Sequence, residues 1–149
     1  MKKLVIPMLL AFVTLTGVSL QASDAMKAIV GSYLEIQGRL VADKLDGIKP
    51  AAHAIGEQAA RMGAEGAAIV KAAKTMEEAA DLKTAREAFG GLSDAVIAAG
   101  TAEGWKDTPD LRVAYCPMVK KSWIQKDDTI KNPYYGSAMS TCGEIKKKT

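Results

Sequence analysis

Histidine occurs once, cysteine twice, and the aromatic residues amount to two tryptophans, two phenylalanines and four tyrosines in 149 residues. Each scarcity excludes a class of function. With His53 as the single imidazole, a nucleophilic triad has one available base. The stretch Gly91-Leu92-Ser93-Asp94-Ala95, superficially a nucleophile elbow, lacks both the final glycine and a preceding strand. Two cysteines and one histidine do not supply the paired spacing of a zinc site. No phosphate-binding glycine loop occurs, and Asp127-Asp128 has no calcium-loop spacing around it. With no paired acid–base set either, an enzyme is not expected.

Neither sign of charge dominates, since 20 Lys and Arg face 17 Asp and Glu for a net +3. Removing Lys2 and Lys3 with a leader leaves 3 − 2 = +1, so nucleic acid is not expected as a partner. Long apolar runs are confined to one, Leu4 to Leu20. It follows Met1-Lys2-Lys3 and precedes small residues around Ala22, the three parts of a secretory signal peptide over residues 1–22. Pro7, Thr14, Thr16 and Gly17 interrupt the run, and no cysteine stands at a lipidation position. No later stretch approaches the roughly 20 apolar residues of a membrane span. The expectation is a periplasmic or secreted product without a permanent membrane span. Residues 23–149 then form a single domain with one core.

What the chain does have is alanine, methionine and leucine at helical spacing. Met26, Ile29, Val30, Tyr33, Ile36, Leu40 and Val41 draw one stripe, with Asp24 placed to cap its start. Ile48 to Met62 repeats the spacing, with Pro50 in the first turn, where a missing N–H costs little. A third stripe runs through Ala67, Ile69, Val70, Ala73, Met76 and Ala80. A fourth runs from Leu82 to Ala99, with Gly100 as its stop and Gly90-Gly91 marking a kink or a fresh start capped by Ser93. The fold expected is all-α, an antiparallel four-helix bundle. An irregular C-terminal segment with room for short strands, Leu111 to Tyr115 among them, completes it. Trp105, Trp123, Tyr134 and Tyr135 cover the end of the bundle, and Lys146 to Lys148 read as a solvated tail.

Both cysteines lie in that last segment, together with Met118 and Met139. Thiolate and thioether sulfurs are soft donors that select monovalent copper or silver over hard cations. Cys116, Met118, Met139 and Cys142 are therefore the candidate ligands of a Cu(I) or Ag(I) site. The other reading open to the same residues is a Cys116–Cys142 disulfide, which an exported small domain commonly forms. Met26, Met62 and Met76 sit on helical stripes and read as core. His53 reads as a surface side chain.

The C-terminal pattern comprises Tyr115-Cys116-Pro117-Met118, Trp123 with Gln125, Asn132-Pro133-Tyr134-Tyr135-Gly136, Met139 and Cys142-Gly143. On the helical side stand Tyr33-Leu34, Leu40-Val41-Ala42-Asp43, Ala85-Arg86-Glu87-Ala88-Phe89 and Leu92-Ser93-Asp94-Ala95. Together they resemble an exported domain family of uncharacterised function that occurs alone or fused to the C-terminus of Cus-type copper/silver efflux adaptor proteins. The resemblance implies a helical bundle and a link to heavy-metal handling, with a heavy-metal efflux adaptor or another periplasmic metal carrier as partner. The expectation is a periplasmic Cu(I)/Ag(I)-binding module that buffers the ion or passes it on. A metal-free interaction module, stapled by the disulfide, is the alternative.

Overall fold

The computed structural model describes residues 16–105, 108 and 110–148. Residues 1–15 of the expected signal peptide, and Pro109, lie outside them. Four helices come first: α1 (Thr16–Val41), α2 (Ile48–Ala60), α3 (Ala67–Glu77) and α4 (Leu82–Glu103). The apolar stripes are their buried faces. Met26, Ile29, Val30, Tyr33, Ile36 and Leu40 of α1 are buried, as are Ile48, Ala51, Ala52, Ile55 and Ala59 of α2. In α3, Ile69, Ala73 and Met76 are buried while Val70 is exposed. Each helix packs on the next, and α1 also meets α4, so the small alanine faces share one core.

Local details differ from the sequence expectations for physical reasons. Asp24 lies inside α1, which begins upstream of it, and caps nothing. Asp81 caps α4 instead: its side chain accepts from Thr84 N at 2.8 Å, and the Thr84 hydroxyl oxygen accepts from Asp81 N at 3.2 Å, a reciprocal capping box. The helix runs unbroken through Gly90-Gly91 to Glu103 and stops at Gly104, which takes the left-handed conformation at φ 75°. Gly100 is not the stop; its missing Cβ makes room for the Trp105 ring. Ser93 is buried mid-helix and bonds Tyr33.

The two central glycines have different reasons to be there. A Cβ on Gly90 would press on the Lys121 stem at 3.2 Å, whereas one on Gly91 would meet nothing within 4 Å. Gly91 therefore carries the full entropic cost of helical glycine with no packing benefit. Gly91→Ala should stabilise the protein by about 0.5–1 kcal/mol in urea unfolding. No gain, or a loss, would mean that the exposed glycine makes a contact in solution.

The all-α expectation is overturned by a three-stranded antiparallel sheet. Strands β1 (Arg112–Cys116), β2 (Lys121–Gln125) and β3 (Glu144–Lys148) lie in the order β2-β1-β3, so the fold is mixed α/β. Strand β1 was half visible as Leu111 to Tyr115. Strand β3 was not, because Glu-Ile-Lys-Lys-Lys has the composition of a solvated tail. It becomes a strand by pairing with β1, Tyr115 opposite Glu144 and Ala114 opposite Ile145, before a register irregularity. Lys146 on this outer strand also discourages edge-to-edge association. Strand β2 packs on α4 and α1, and Ala114, Cys116, Trp123 and Ile124 join the helices in one core.

Candidate functional site

Strand pairing explains why two cysteines so far apart in sequence meet. Cys116 ends β1, and Cys142 stands two residues before β3, whose first residue pairs with Tyr115. The antiparallel ladder therefore sets their main chains side by side. Their sulfurs lie 3.7 Å apart and are not bonded. Cys116 is fully buried and Cys142 partly so.

The two thiols differ electrostatically. Burial pushes the Cys116 thiol up, but the backbone N–H of Val119, the Asn132 side-chain amide, the backbone N–H of Met118 and the Cys142 thiol all donate to its sulfur, and the net effect is downward. Cys142 is pushed up, first by the hydrogen bond it gives Cys116, then by burial and the neighbouring negative charge. The two shifts run in opposite directions, so Cys116 is the more readily ionised of the pair. The tight turn after β1 serves as the amide cradle, with Lys120 in the left-handed region at φ 55°. Backbone amides aimed at a thiolate stabilise it whether the sulfur binds a metal or waits to react.

The methionines lie on the turns that carry the cysteines. Met118 is two residues past Cys116, and the Met139 carbonyl accepts from Cys142 N at 3.2 Å. Both are exposed, at 63% and 41%, which removes the packing explanation for them. Met26, Met62 and Met76 are buried in the helical core. Exposed His53 faces Glu77 at 3.5 Å and Glu57 at 3.8 Å on the helical side. Among the described residues no group of three or more His, Cys, Asp or Glu converges. Met118 and Met139, two and three residues from the cysteines, are then the soft side-chain donors nearest to the pair in sequence.

The loop between β2 and β3 is held from inside. Gln125 Oε1 accepts from Trp123 Nε1 at 2.9 Å and from Lys131 N at 3.1 Å, while its amide donates to the carbonyls of Asp127 and Thr129. Gln37 on α1 reaches the Lys131 carbonyl at 2.9 Å. Tyr134 stacks into a run of rings with Phe89 and Trp123 and donates to the Ser122 carbonyl at 2.6 Å. Tyr33 shares a 2.6 Å bond with Ser93 and accepts from Ile124 N at 3.3 Å. Burial holds the Tyr33 and Tyr134 hydroxyls well above the usual phenol range, so both remain protonated.

A second anchor pins the same segment to the helices. Arg86 donates to the Asp43 carboxylate, to the Pro133 carbonyl at 3.1 Å and to the Leu40 carbonyl at 3.2 Å. Asp43 also accepts from the Ser137 hydroxyl and from Ser137 N at 3.1 Å. These bonds, the Ser137 hydroxyl first, hold the Asp43 carboxyl below its usual range. Beside this clasp lies an open cleft of about 740 Å³ lined by Leu82, Arg86, Gly90, Val119, Lys121 and Tyr134. It does not contain the cysteines.

Sequence reasoning picked out the four sulfur residues and missed Asn132 and the Asp43–Arg86–Ser137 clasp. All of these except Ser137 stand in the stretches quoted above, yet their roles depend on partners up to 94 positions away. The one usable signal was that Asn132, the single asparagine of the chain, stands within an otherwise aromatic and turn-rich run.

Residues 29–108, just over half of the chain, match the family described as "Protein of unknown function (DUF3347)". The matched stretch runs from within α1 through α4 and ends before the cysteine pair. No curated protein and no solved structure matches the chain.

Proposed function

We propose that this chain, which belongs to the DUF3347 family of proteins of unknown function, is an exported module that binds Cu(I) or Ag(I). Cys116 and Cys142 are its thiolate ligands, with Met118 and Met139 as thioether donors. In the periplasm it buffers the ion or passes it to an efflux system, in keeping with the resemblance to domains fused to Cus-type adaptors. The observation that carries the reading is the pair of unbonded sulfurs 3.7 Å apart, with the Cys116 thiol the more readily ionised of the two. A metal–thiolate bond of about 2.3 Å at trigonal to tetrahedral angles separates two sulfurs by about 3.8–4.0 Å. A linear two-coordinate ion would need about 4.6 Å on the same bond length. The spacing thus favours a third ligand, and exposed thioethers are soft, weakly held and replaceable. Such ligands suit transfer to a partner better than storage.

A Cu(I) competition titration against a chromogenic chelator tests this. The reduced protein should bind one equivalent with a Kd below about 1 nM, and a Cys116→Ser, Cys142→Ser double variant should lose that binding. Failure of the reduced wild type to compete would end the proposal.

The same distance supports a second reading, because thiols this close can join as a disulfide with a small side-chain rotation. Closing that loop would stabilise the fold by about 3–4 kcal/mol in the chain-entropy model. Thiol counting on protein purified without reductant separates the two. Thiols blocked until strong reduction favour the staple, and two reactive thiols favour the metal site.

A further inference from the structure

The two cysteines differ in access. Cys116 is fully buried, whereas Cys142 is partly open to solvent. Their sulfurs stand 3.7 Å apart, and closing that to the roughly 2.05 Å of a disulfide takes about 1.7 Å of side-chain movement. The main chain at Cys142 is fixed in this place. Its N–H donates to the Met139 carbonyl at 3.2 Å, and its carbonyl accepts from Asn132 Nδ2 at 2.6 Å. Next to it, Gly143 runs so close to β1 that a Cβ would lie 3.0 Å from the Tyr115 carbonyl oxygen and 2.8 Å from the Trp123 ring. The pair is thus an inner and an outer thiol held within reach of each other.

That asymmetry matters for thiol–disulfide exchange, whose first step requires contact with a disulfide from outside. Cys142 offers that contact and buried Cys116 does not. Access, rather than ease of ionisation, decides the first step.

We propose that Cys142 is a thiol-modification site, the entry through which a small disulfide oxidises the pair, with Cys116 as the resolving thiol. Cys142, as its thiolate, attacks one sulfur of the small disulfide. That S–S bond breaks, a mixed disulfide forms on Cys142, and the first small thiolate leaves. The Cys116 sulfur then attacks Cys142 Sγ, the mixed disulfide breaks, and the second small thiolate leaves as the Cys116–Cys142 bond forms. Two protein thiols are oxidised, one small disulfide is reduced to two thiols, and the two protons released by the cysteines end on them. Reduction runs back through the same outer sulfur, so the pair closes and opens, which a permanent staple does not. Where the pair holds an ion, closure removes both thiolates and lets the ion go; that consequence alone rests on the function proposed above.

The test adds oxidised glutathione to the reduced, metal-free protein and reads intact mass after acid quenching. The wild type should end two hydrogens lighter, with any adduct transient. Cys116→Ser should stop at one stable glutathione adduct, and Cys142→Ser should react at least about tenfold more slowly than Cys116→Ser. Equal rates in the two variants, a faster Cys142→Ser, or a wild type that keeps two thiols or stalls at the adduct would overturn the proposal.

Should a variant fail to fold, a brief pulse of iodoacetamide on the reduced wild type decides. Cys142 should be alkylated at least about tenfold faster than Cys116, and equal labelling, or Cys116 first, would overturn the assignment. Repeating the oxidation with one equivalent of Cu(I) bound should slow it, and an unchanged rate in protein that holds the ion would remove the release step. A wild type that binds no Cu(I) but follows the same order of reaction would sink the metal reading and leave the exchange route standing.

Discussion

Gly136→Ala should destabilise the protein by about 2–4 kcal/mol, because it offends both the backbone and its surroundings. Gly136 sits at φ 56°, in the left-handed region. A Cβ there would overlap the Asp43 carboxylate and the Arg86 guanidinium. Those two groups are the clasp that ties the segment after Pro133 to the end of α1 and the start of α4. Prising them apart leaves a guanidinium and a carboxylate short of their hydrogen bonds. At roughly 3–5 °C per kcal/mol for a domain of this size, the melting temperature should fall by about 6–20 °C. Gly136→Asn separates the causes, since asparagine tolerates the left-handed backbone but brings the same Cβ. If Asn restores most of the loss, strain dominates and the clasp matters little. A drop under about 2 °C for Gly136→Ala would contradict the tight packing at this corner.

The second large effect belongs to the joint between helices and sheet. Phe89 on α4 is fully buried, with its ring 4.8 Å from Tyr33 and 5.9 Å from Tyr134. Tyr33 belongs to α1 and bonds β2, while Tyr134 belongs to the segment that carries Asn132 and bonds Ser122 of β2. Phe89 therefore fills the space on which three parts of the fold converge. Phe89→Ala should cost about 3–5 kcal/mol, the transfer energy of the ring plus the cavity it leaves. That is a large share of the 5–15 kcal/mol on which a domain of this kind usually stands. Urea unfolding should show the midpoint falling with little change in slope, provided the transition stays two-state. A cost under about 1.5 kcal/mol would mean that the joint collapses freely around the missing ring.

The helices were readable in the sequence because each buries one stripe, and a period of 3.6 shows directly in the order of residues. Glycine positions were harder. Gly90, Gly91 and Gly100 all look like helix breakers in a local reading, yet Gly90 and Gly100 are sites where Lys121 and Trp105 cross the helix. The sheet escaped because β3 has no strand pattern of its own and exists through its pairing with β1. The cysteines and methionines stood out by residue type alone. Their convergence needed the antiparallel register, and Asn132, Arg86 and Asp43 needed long-range partners that no local pattern encodes.

The central claim is that soft sulfur donors from one end of the sheet surround a single monovalent ion. X-ray absorption at the copper edge of the Cu(I)-loaded protein tests it most directly. The account predicts a shell of about three to four sulfur scatterers near 2.3 Å, reduced to thioether and solvent donors, or lost altogether, in the Cys116→Ser, Cys142→Ser variant. A shell dominated by nitrogen or oxygen, or one identical in the variant, would contradict it.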